Sequence, residues 1–223
     1  MLKKTEAERK TVMKYPYLYC DIDGTLADRS VISRENAAAL AQYRRAGGKL
    51  GLATGRVELI TESYARQLAV DLPCILYNGA AVYDFSTHEF LHTETVEKED
   101  VLAMMKLGME VYPQVNVEIC PGGPTVLANP KGVEDVFITR ENQPFVFGRA
   151  EDCRSIIKLM FYGRPEALQQ VEAAIRPRFG EKYRILFSQP VYLGVLPKAA
   201  GKESALAWLS QNPHLPLEQI CAL

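Results

Sequence analysis

The sequence contains no long apolar run and no stretch dominated by charges of one sign. Lys and Arg number 26 and Asp and Glu 27, which gives a formal net charge of −1 at pH 7. Without a block of like charges, neither a nucleic-acid partner nor a membrane-surface partner is indicated. No run approaches the ~18 apolar residues that cross a membrane, and the first residues lack the apolar segment of a signal peptide. We therefore expect a cytoplasmic protein whose partner is a small molecule.

Paired cysteines are also missing. The cysteines are odd in number, lie far apart and include no Cys-x-x-Cys pair; they are Cys20, Cys74, Cys120, Cys153 and Cys221. This spacing argues against a disulfide framework and against a zinc site. We expect free thiols that are mostly buried.

Length and composition allow one or two domains. The chain has 223 residues, 48% of them hydrophobic, which is enough for one good core or two modest ones. Residues 1–14 are rich in Lys, Glu, Arg and Thr and show no apolar face. We expect them to form a flexible lead-in.

A short apolar strand that ends in two carboxylates is the strongest feature present. Residues 17–20 are aromatic and β-favouring, and Asp21-Ile22-Asp23-Gly24-Thr25 follows directly. Side chains two apart on an extended chain point the same way, so Asp21 and Asp23 should face one small volume. In open α/β sheets, ligands bind at this edge. Two adjacent carboxylates favour a hard cation such as Mg²⁺, which also accepts water and phosphate oxygens as ligands.

With such a metal, one of the two aspartates can act as a nucleophile that forms an acyl phosphate, while the other serves as acid and base. The alternative is an acidic turn or a calcium loop. An EF-hand loop lies between two helices and needs acids at alternate positions before a glycine at its sixth position. Neither the spacing here nor the preceding strand fits that pattern.

A second strand ends in a hydroxyl. Residues 49–53 are strand-like and run into Thr54-Gly55. In a βαβ unit the two strands are parallel, so Thr54 should emerge at the same sheet edge as Asp21. The hydroxyl, with the backbone amides at Gly55, can hold phosphate oxygens at the head of the next helix. Taken alone, the pair is more typical of an ordinary strand-to-helix turn; paired with Asp21 in this order, it favours phosphate binding.

A third strand, residues 74–77, leads into Asn78-Gly79-Ala80 and a further apolar run at 81–83. Asn-Gly between two apolar runs is typical of a hairpin turn. The turn alone would explain Asn78, so a binding role for its side chain stays open at this point.

From about residue 86 the pattern changes. The predicted elements are helices at 97–111 and 165–179 and strands at 115–120, 125–128, 155–162, 183–187 and 191–196. They come in two α-with-β groups, and none of the strands ends in acids as the first strand does. We therefore predict a separate α/β module over residues 86–196, inserted into a core formed by 1–85 and 197–223.

The return segment contains a helical pattern that begins near Lys202. Ala205, Leu206 and Leu209 share one face of it. A lysine in the first turn is disfavoured by the helix dipole unless an anion such as phosphate lies nearby. The alternative is an exposed lysine whose stem covers the helix surface.

Taken in order, these motifs resemble those of the Cof-like phosphatases in the haloacid-dehalogenase-like (HAD) superfamily. Asp-Ile-Asp-Gly-Thr-Leu resembles the first motif, and Ala-Thr-Gly-Arg resembles the second. The third is Pro197 followed after a few residues by a lysine; counting favours Lys202 over Lys198, although Glu203 stands where the family usually has glycine. Asn-Gly-Ala is also similar to a family segment close to the phosphate pocket. The resemblance implies a doubly wound, Rossmann-like α/β core with a type IIB cap.

The resemblance further implies an Mg²⁺-dependent phosphatase acting on small phosphorylated metabolites, sugar phosphates above all. Asp21 would attack phosphorus, Asp23 would act as acid and base, and both would hold Mg²⁺. The residues implied to bind the phosphoryl group are Thr54, Gly55, Asn78 and Lys202.

The family's fourth motif, Gly-Asp followed by Asn-Asp, completes its metal site. The sequence stops at Leu223, immediately before the place of that motif, so we expect the core to be truncated and the natural protein to continue. Two alternatives to a phosphatase stay open. One is a phosphotransferase or phosphomutase with the same nucleophile, and the other is a binding protein that does not turn over.

Overall fold

A computed structural model of the chain describes residues 13–28, 30–129, 143–212 and 215–223. Nearly all of the predicted lead-in lies outside these ranges. The helices are α1 (Arg34–Arg45), α2 (Glu58–Leu68), α3 (Lys98–Val111), α4 (Pro165–Phe179) and α5 (Lys202–Gln211). The strands are β1 (Tyr17–Cys20), β2 (Ala27–Asp28), β3 (Val31–Ile32), β4 (Lys49–Leu52), β5 (Cys74–Leu76), β6 (Ala81–Asp84), β7 (Glu89–Thr93), β8 (Asn116–Cys120), β9 (Thr125–Leu127), β10 (Phe145–Phe147), β11 (Lys158–Tyr162), β12 (Tyr183–Gln189), β13 (Tyr192–Pro197) and β14 (Ile220–Ala222).

The first sheet is parallel, with β1 between β14 and β4. Leu18 lies opposite both Cys221 and Leu50 in this register. A parallel bridge between Ala53 and Ile75 continues the order to β5, which then turns into the antiparallel meander β5-β6-β7. Parallel strands joined through helices are the arrangement that the predicted βαβ pattern requires. The predicted fold class, α/β with a Rossmann-like parallel core, is confirmed.

Side chains alternate along the core strands, so both faces of this sheet carry packed side chains. Leu18 and Leu50 pack in one cluster with α1 and α2, whereas Tyr19 packs in another with α5. Gly51 makes room for the Tyr19 ring, because a Cβ atom there would lie 2.5 Å from the Cε1 atom of that ring. With helices on both faces, the carboxyl edge of the strands remains as the open side of the sheet.

Local signals set where the first helices begin. The Ser33 hydroxyl caps α1 by accepting the Asn36 N–H at 3.0 Å, as the sequence predicts. Helix α4 begins at Pro165, in the first turn, where the missing N–H has no intrahelical partner to lose.

Within the described ranges, no helix has both the length and the apolar character needed to cross a membrane. All five cysteines are free thiols and four are buried, as predicted.

A second sheet, ordered β10-β9-β8-β11-β13-β12, is formed by strands from the middle of the chain, where the sequence predicts an inserted module. One of its faces packs on α3 and α4 through Val117, Ile119, Leu159, Phe161, Leu193 and Val195. Because strand side chains alternate, the neighbouring positions face the other way. Those positions line a cavity and include Glu118, Cys120, Lys158, Met160 and Tyr192.

One predicted strand is shorter in the structure, and β7 bears on where the inserted module begins. The predicted module includes residues 89–93, but these form β7, which pairs antiparallel with β6 of the core meander. We therefore propose that the inserted module begins after Thr93. The strand predicted at 155–162 begins only at Lys158, and the Ser155 hydroxyl instead donates to the Pro121 carbonyl at 3.0 Å.

Candidate active site

The end of β1 holds Asp21 through its backbone and its side chain. The Asp21 N–H donates to the Leu223 carbonyl at 2.9 Å, so β14 aligns this residue. Its Oδ1 atom accepts the Ile22 N–H at 2.7 Å. The chain then turns sharply, with Gly24 at φ +76° and the Ala27 N–H donating to the Ile22 carbonyl at 2.8 Å. These hydrogen bonds within the chain therefore hold the Asp21 carboxylate in a defined orientation.

Lys202 contacts this carboxylate. Its Nζ atom lies 2.7 Å from Oδ2 of Asp21, and the two side chains are 36% and 31% exposed. Lys202 is the first residue of α5, whose start packs so closely on Gly79 that a Cβ atom there would overlap the Gly201 backbone. Lys198, the other candidate, donates instead to the Gly180 carbonyl at 3.1 Å. Of the two lysines, Lys202 is therefore the one that reaches the nucleophile candidate.

Asp23 is held by Arg56 through two hydrogen bonds. Nε of Arg56 lies 2.9 Å from Oδ2 and Nη2 lies 2.7 Å from Oδ1. The arginine side chain is 5% exposed and lies against the Tyr64 ring, whereas the aspartate is 53% exposed. Such a two-point contact fixes the plane of a carboxylate. Arg56 belongs to the Ala-Thr-Gly-Arg motif of the sequence. Its place directly after Gly55 was the signal from which a contact with Asp23 could have been predicted.

Thr54, Gly55 and Asn78 lie together at the ends of β4 and β5. Thr54 is fully buried, and its Oγ1 atom accepts the Arg56 N–H at 3.3 Å. A Cβ atom on Gly55 would overlap Oδ1 of Asn78, so only glycine admits that amide beside it. Gly55 and Asn78 line the cavity, whereas the lining drawn from the described residues does not include Thr54. The Thr54 hydroxyl therefore accepts a hydrogen bond within the turn that follows β4.

The cavity, about 290 Å³ in volume, lies between this edge and the open face of the second sheet. From the core it is lined by Asp21, Asp23, Gly55, Arg56, Asn78 and Lys202. From the second sheet and its loops it is lined by Glu118, Lys158, Met160, Gln189 and Tyr192. Residues of both sheets therefore line one cavity at the strand ends.

Glu58 connects the core to the cap. Its buried carboxylate accepts the Tyr77 hydroxyl and also the N–H of Gly123, in the turn between β8 and β9. Burial and the nearby Glu58 charge raise the pKa of Tyr77, which keeps the phenol protonated as a donor. The sequence offers no signal for this contact, because a glutamate in the first turn of a helix is ordinary.

The donor set at the strand ends fits a magnesium ion. Among the described residues, no group of three or more His, Cys, Asp or Glu side chains is close enough to form a metal cage. Mg²⁺ does not need such a cage, since it takes one or two carboxylates and completes its shell with water and phosphate oxygens. Asp21 and Asp23 are hard oxygen donors that open into the cavity.

A family model described as haloacid dehalogenase-like hydrolase matches residues 18–223. The chain belongs to this family. A Streptococcus pyogenes protein with a provisional phosphatase name is 28% identical over 209 residues, covering 91% of this chain and 78% of that protein. The predicted Cof-like HAD phosphohydrolase, and with it the enzyme class of phosphoric monoester hydrolase, is confirmed.

Solved structures of this hydrolase family share the fold. A haloacid dehalogenase-like hydrolase from Bacteroides thetaiotaomicron superposes with a TM-score of 0.83 at 21% identity, over 94% of this chain and 81% of that one. The HAD subclass IIB sugar phosphatase BT4131 gives a TM-score of 0.73 at 21% identity, over 92% of this chain and 79% of that one. At this identity the likeness concerns the fold.

Proposed function

We propose that this HAD phosphatase depends on Mg²⁺ and hydrolyses small phosphorylated metabolites, sugar phosphates first among them, through an aspartyl-phosphate. One observation carries the proposal. Asp21 and Asp23 open into one cavity, and each lies in contact with its own cation, Lys202 and Arg56 respectively. The sugar class is supported by the structural neighbour BT4131, a sugar phosphatase.

In the first step, an oxygen of Asp21 attacks phosphorus and forms a phosphorus–oxygen bond while the ester bond breaks. The electron pair of that bond goes to the leaving alkoxide, which takes a proton from Asp23. In the second step, Asp23 removes a proton from a water that attacks phosphorus, and the bond to Asp21 breaks. The hydrogen bond from the Ile22 N–H keeps one Asp21 oxygen fixed, so the carboxylate approaches phosphorus in a defined orientation.

Positive charge and N–H groups around the cavity stabilise the phosphoryl oxygens as charge builds on them. Lys202 lies against Asp21, and the backbone at Gly55 and the amide of Asn78 line the same space. Asp21 and Asp23 would hold Mg²⁺, which supplies further charge neutralisation when bound. Thr54 supports this arrangement by fixing the turn at Arg56, since its hydroxyl accepts that N–H.

The nucleophile is tested by Asp21→Asn, which keeps the shape of the side chain but cannot form an acyl phosphate. We expect the variant to fold and to lose phosphate release with Mg²⁺ present. Acid quenching of the unmodified chain during turnover should show a phosphoryl mass increment on the peptide that contains Asp21. Asp28→Asn is the matched control, because Asp28 is exposed on β2 of the same segment. Undiminished turnover in Asp21→Asn would contradict the proposal.

A further inference from the structure

The turn between β5 and β6 has an unusual backbone. Tyr77, Asn78 and Gly79 lie one after another in the left-handed region, with φ values of +52°, +57° and +93°. Glycine adopts this region freely and asparagine tolerates it, whereas a bulky side chain is strained there. An Asn-Gly pair by itself supplies the two positive φ values that a tight hairpin turn needs. The strained residue that needs an explanation is therefore Tyr77.

Contacts on every side hold Tyr77 in this conformation. Its side chain is fully buried, and its hydroxyl donates to Oε2 of Glu58. Oε1 of the same carboxylate accepts the Gly123 N–H, so the carboxylate cannot rotate away from the tyrosine. The Tyr77 N–H donates to the Arg56 carbonyl at 3.1 Å. Backbone strain that is held in this way is concentrated at functional sites, so what the turn contacts is informative.

The two residues that follow in the turn contact the proposed phosphate site. Asn78 lines the cavity. Gly79 packs against the start of α5, where a Cβ atom on it would overlap the Gly201 carbonyl and lie 2.7 Å from the backbone nitrogen of Lys202. The two backbones are in direct contact, so no flexible side chain lies between them to absorb a shift.

The position of Lys202 depends on where α5 begins. Lys202 is the first residue of this helix, and its Nζ atom lies 2.7 Å from Oδ2 of Asp21. Gly201, the residue before it, has no side chain with which to cap the helix. Packing on Gly79 is thus one of the contacts that locate this end of α5. A displacement of the turn is passed through that packing to the ammonium group.

We propose that Tyr77, held by Glu58, is a positioning residue for Lys202. The hydrogen bond to Glu58 fixes Tyr77 in the left-handed conformation, and Gly79 of the same turn fixes the start of α5. Tyr77 does not occur among the described residues that line the cavity, so it acts through the turn rather than on the ester. The inference rests on the proposed function, in which Lys202 stabilises the phosphoryl oxygens.

The first part of the test is Tyr77→Phe, which removes the hydroxyl and keeps the ring. We expect kcat for phosphate release with Mg²⁺ to fall about 10- to 100-fold, the scale for a catalytic group misplaced by about 1 Å. Tyr19→Phe is the matched control, because it removes another buried tyrosine hydroxyl that donates to a distant carbonyl, that of Pro73 at 3.0 Å. The control should keep its kcat, and a melting curve of each variant shows that both are folded in the assay.

The second part combines Tyr77→Phe with Lys202→Ala. If Tyr77 acts through Lys202, losing its hydroxyl matters little once the ammonium group is gone. The double variant should therefore stay within about twofold of the kcat of Lys202→Ala, the margin expected for a change without effect. Two independent losses would multiply instead, as they would if Tyr77 only supported the structure.

The outcomes separate this inference from the reaction. Losses that multiply in the double variant overturn the positioning role and leave the phosphatase standing, and so does a kcat of Tyr77→Phe equal to that of the unmodified chain. If the unmodified chain releases no phosphate, the proposed function fails and the positioning role fails with it. Should Tyr77→Phe not fold, Glu58→Asp, which draws the carboxylate back by one methylene, is put through the same cycle with the same criteria.

Discussion

Replacing Lys202 by alanine tests the charge that contacts Asp21, the proposed nucleophile. The Nζ atom lies 2.7 Å from Asp21 Oδ2, so the ammonium group borders the carboxylate that is proposed to attack phosphorus. Deleting one preorganised charge-stabilising group lowers kcat by about 10²- to 10³-fold, or about 2.7–4 kcal/mol in the barrier. We expect a loss of that size for Lys202→Ala.

The same change should cost little stability. Both partners of the ion pair are about one third exposed, at 36% and 31%, so water screens their attraction. Pairs of this kind contribute about 1 kcal/mol or less, which for a chain of this size shifts Tm by about 2–4 °C. Loss of folded protein therefore cannot account for a 100-fold loss of rate, as a melting curve of the variant would show.

Lys198→Ala is the internal control, because its ammonium group contacts the Gly180 carbonyl, away from the carboxylates. The assay is phosphate release with Mg²⁺ at saturating ester for both variants, so that kcat is compared. Lys198→Ala should be close to the unmodified chain. A large loss in Lys198→Ala with full activity in Lys202→Ala would refute the reasoning and assign the third motif to the wrong lysine.

Two further changes test how the chain is held together. Glu58→Leu should lower the free energy of unfolding by about 1–3 kcal/mol in urea, since it leaves the Gly123 N–H and the Tyr77 hydroxyl without an acceptor. Glu58→Gln should recover part of that loss, because its single carbonyl oxygen can accept from one of the two donors, and an equal loss in both variants would contradict the hydrogen-bond explanation. The hydrogen bond from Arg44 holds the pKa of Asp71 below its usual value, with burial opposing it. The stability that Asp71 contributes is present above its unfolded pKa of about 3.9 and is lost as pH falls through its folded pKa. Asp71→Asn should therefore lower the free energy of unfolding by about 1 kcal/mol or less at pH 7, and by less at pH 3. A difference between the two proteins that does not change with pH would contradict this reasoning.

Much of the core could be predicted because its signals are local. The strand end at Asp21 is visible from an apolar run that stops at a charge, and the start of α1 from a cap at Ser33. The parallel order then follows from connectivity, which brings the ends of β1 and β4 to one edge. β7 was missed because its residues 89–93 are mostly exposed, so no alternation of buried and exposed positions marks them as a strand.

The contacts between distant segments could not be predicted in the same way. Glu58 and Gly123 are 65 residues apart, and the N–H that the glutamate binds belongs to the backbone, which carries no sequence signal. Arg56 reaches Asp23 across 33 residues. Lys158 lies on a strand whose pattern fits either face, so only the pairing with β8 tells which way its side chain points.

The proposed reactive groups and the polar side chains of the cap sheet lie in different parts of the fold. Asp21 and Lys202 lie at element ends, where a small shift would change their distance from the phosphorus of the proposed substrate. Lys158 and Glu118 lie on a sheet face opposite the cap's apolar core, so their side chains can change without removing a contact on which α3 and α4 depend. The Glu58 contact with the turn between β8 and β9 links the two parts, because it ties that turn to the start of α2. We therefore expect loss of the Glu58 contact to weaken the hydrolysis of every ester alike.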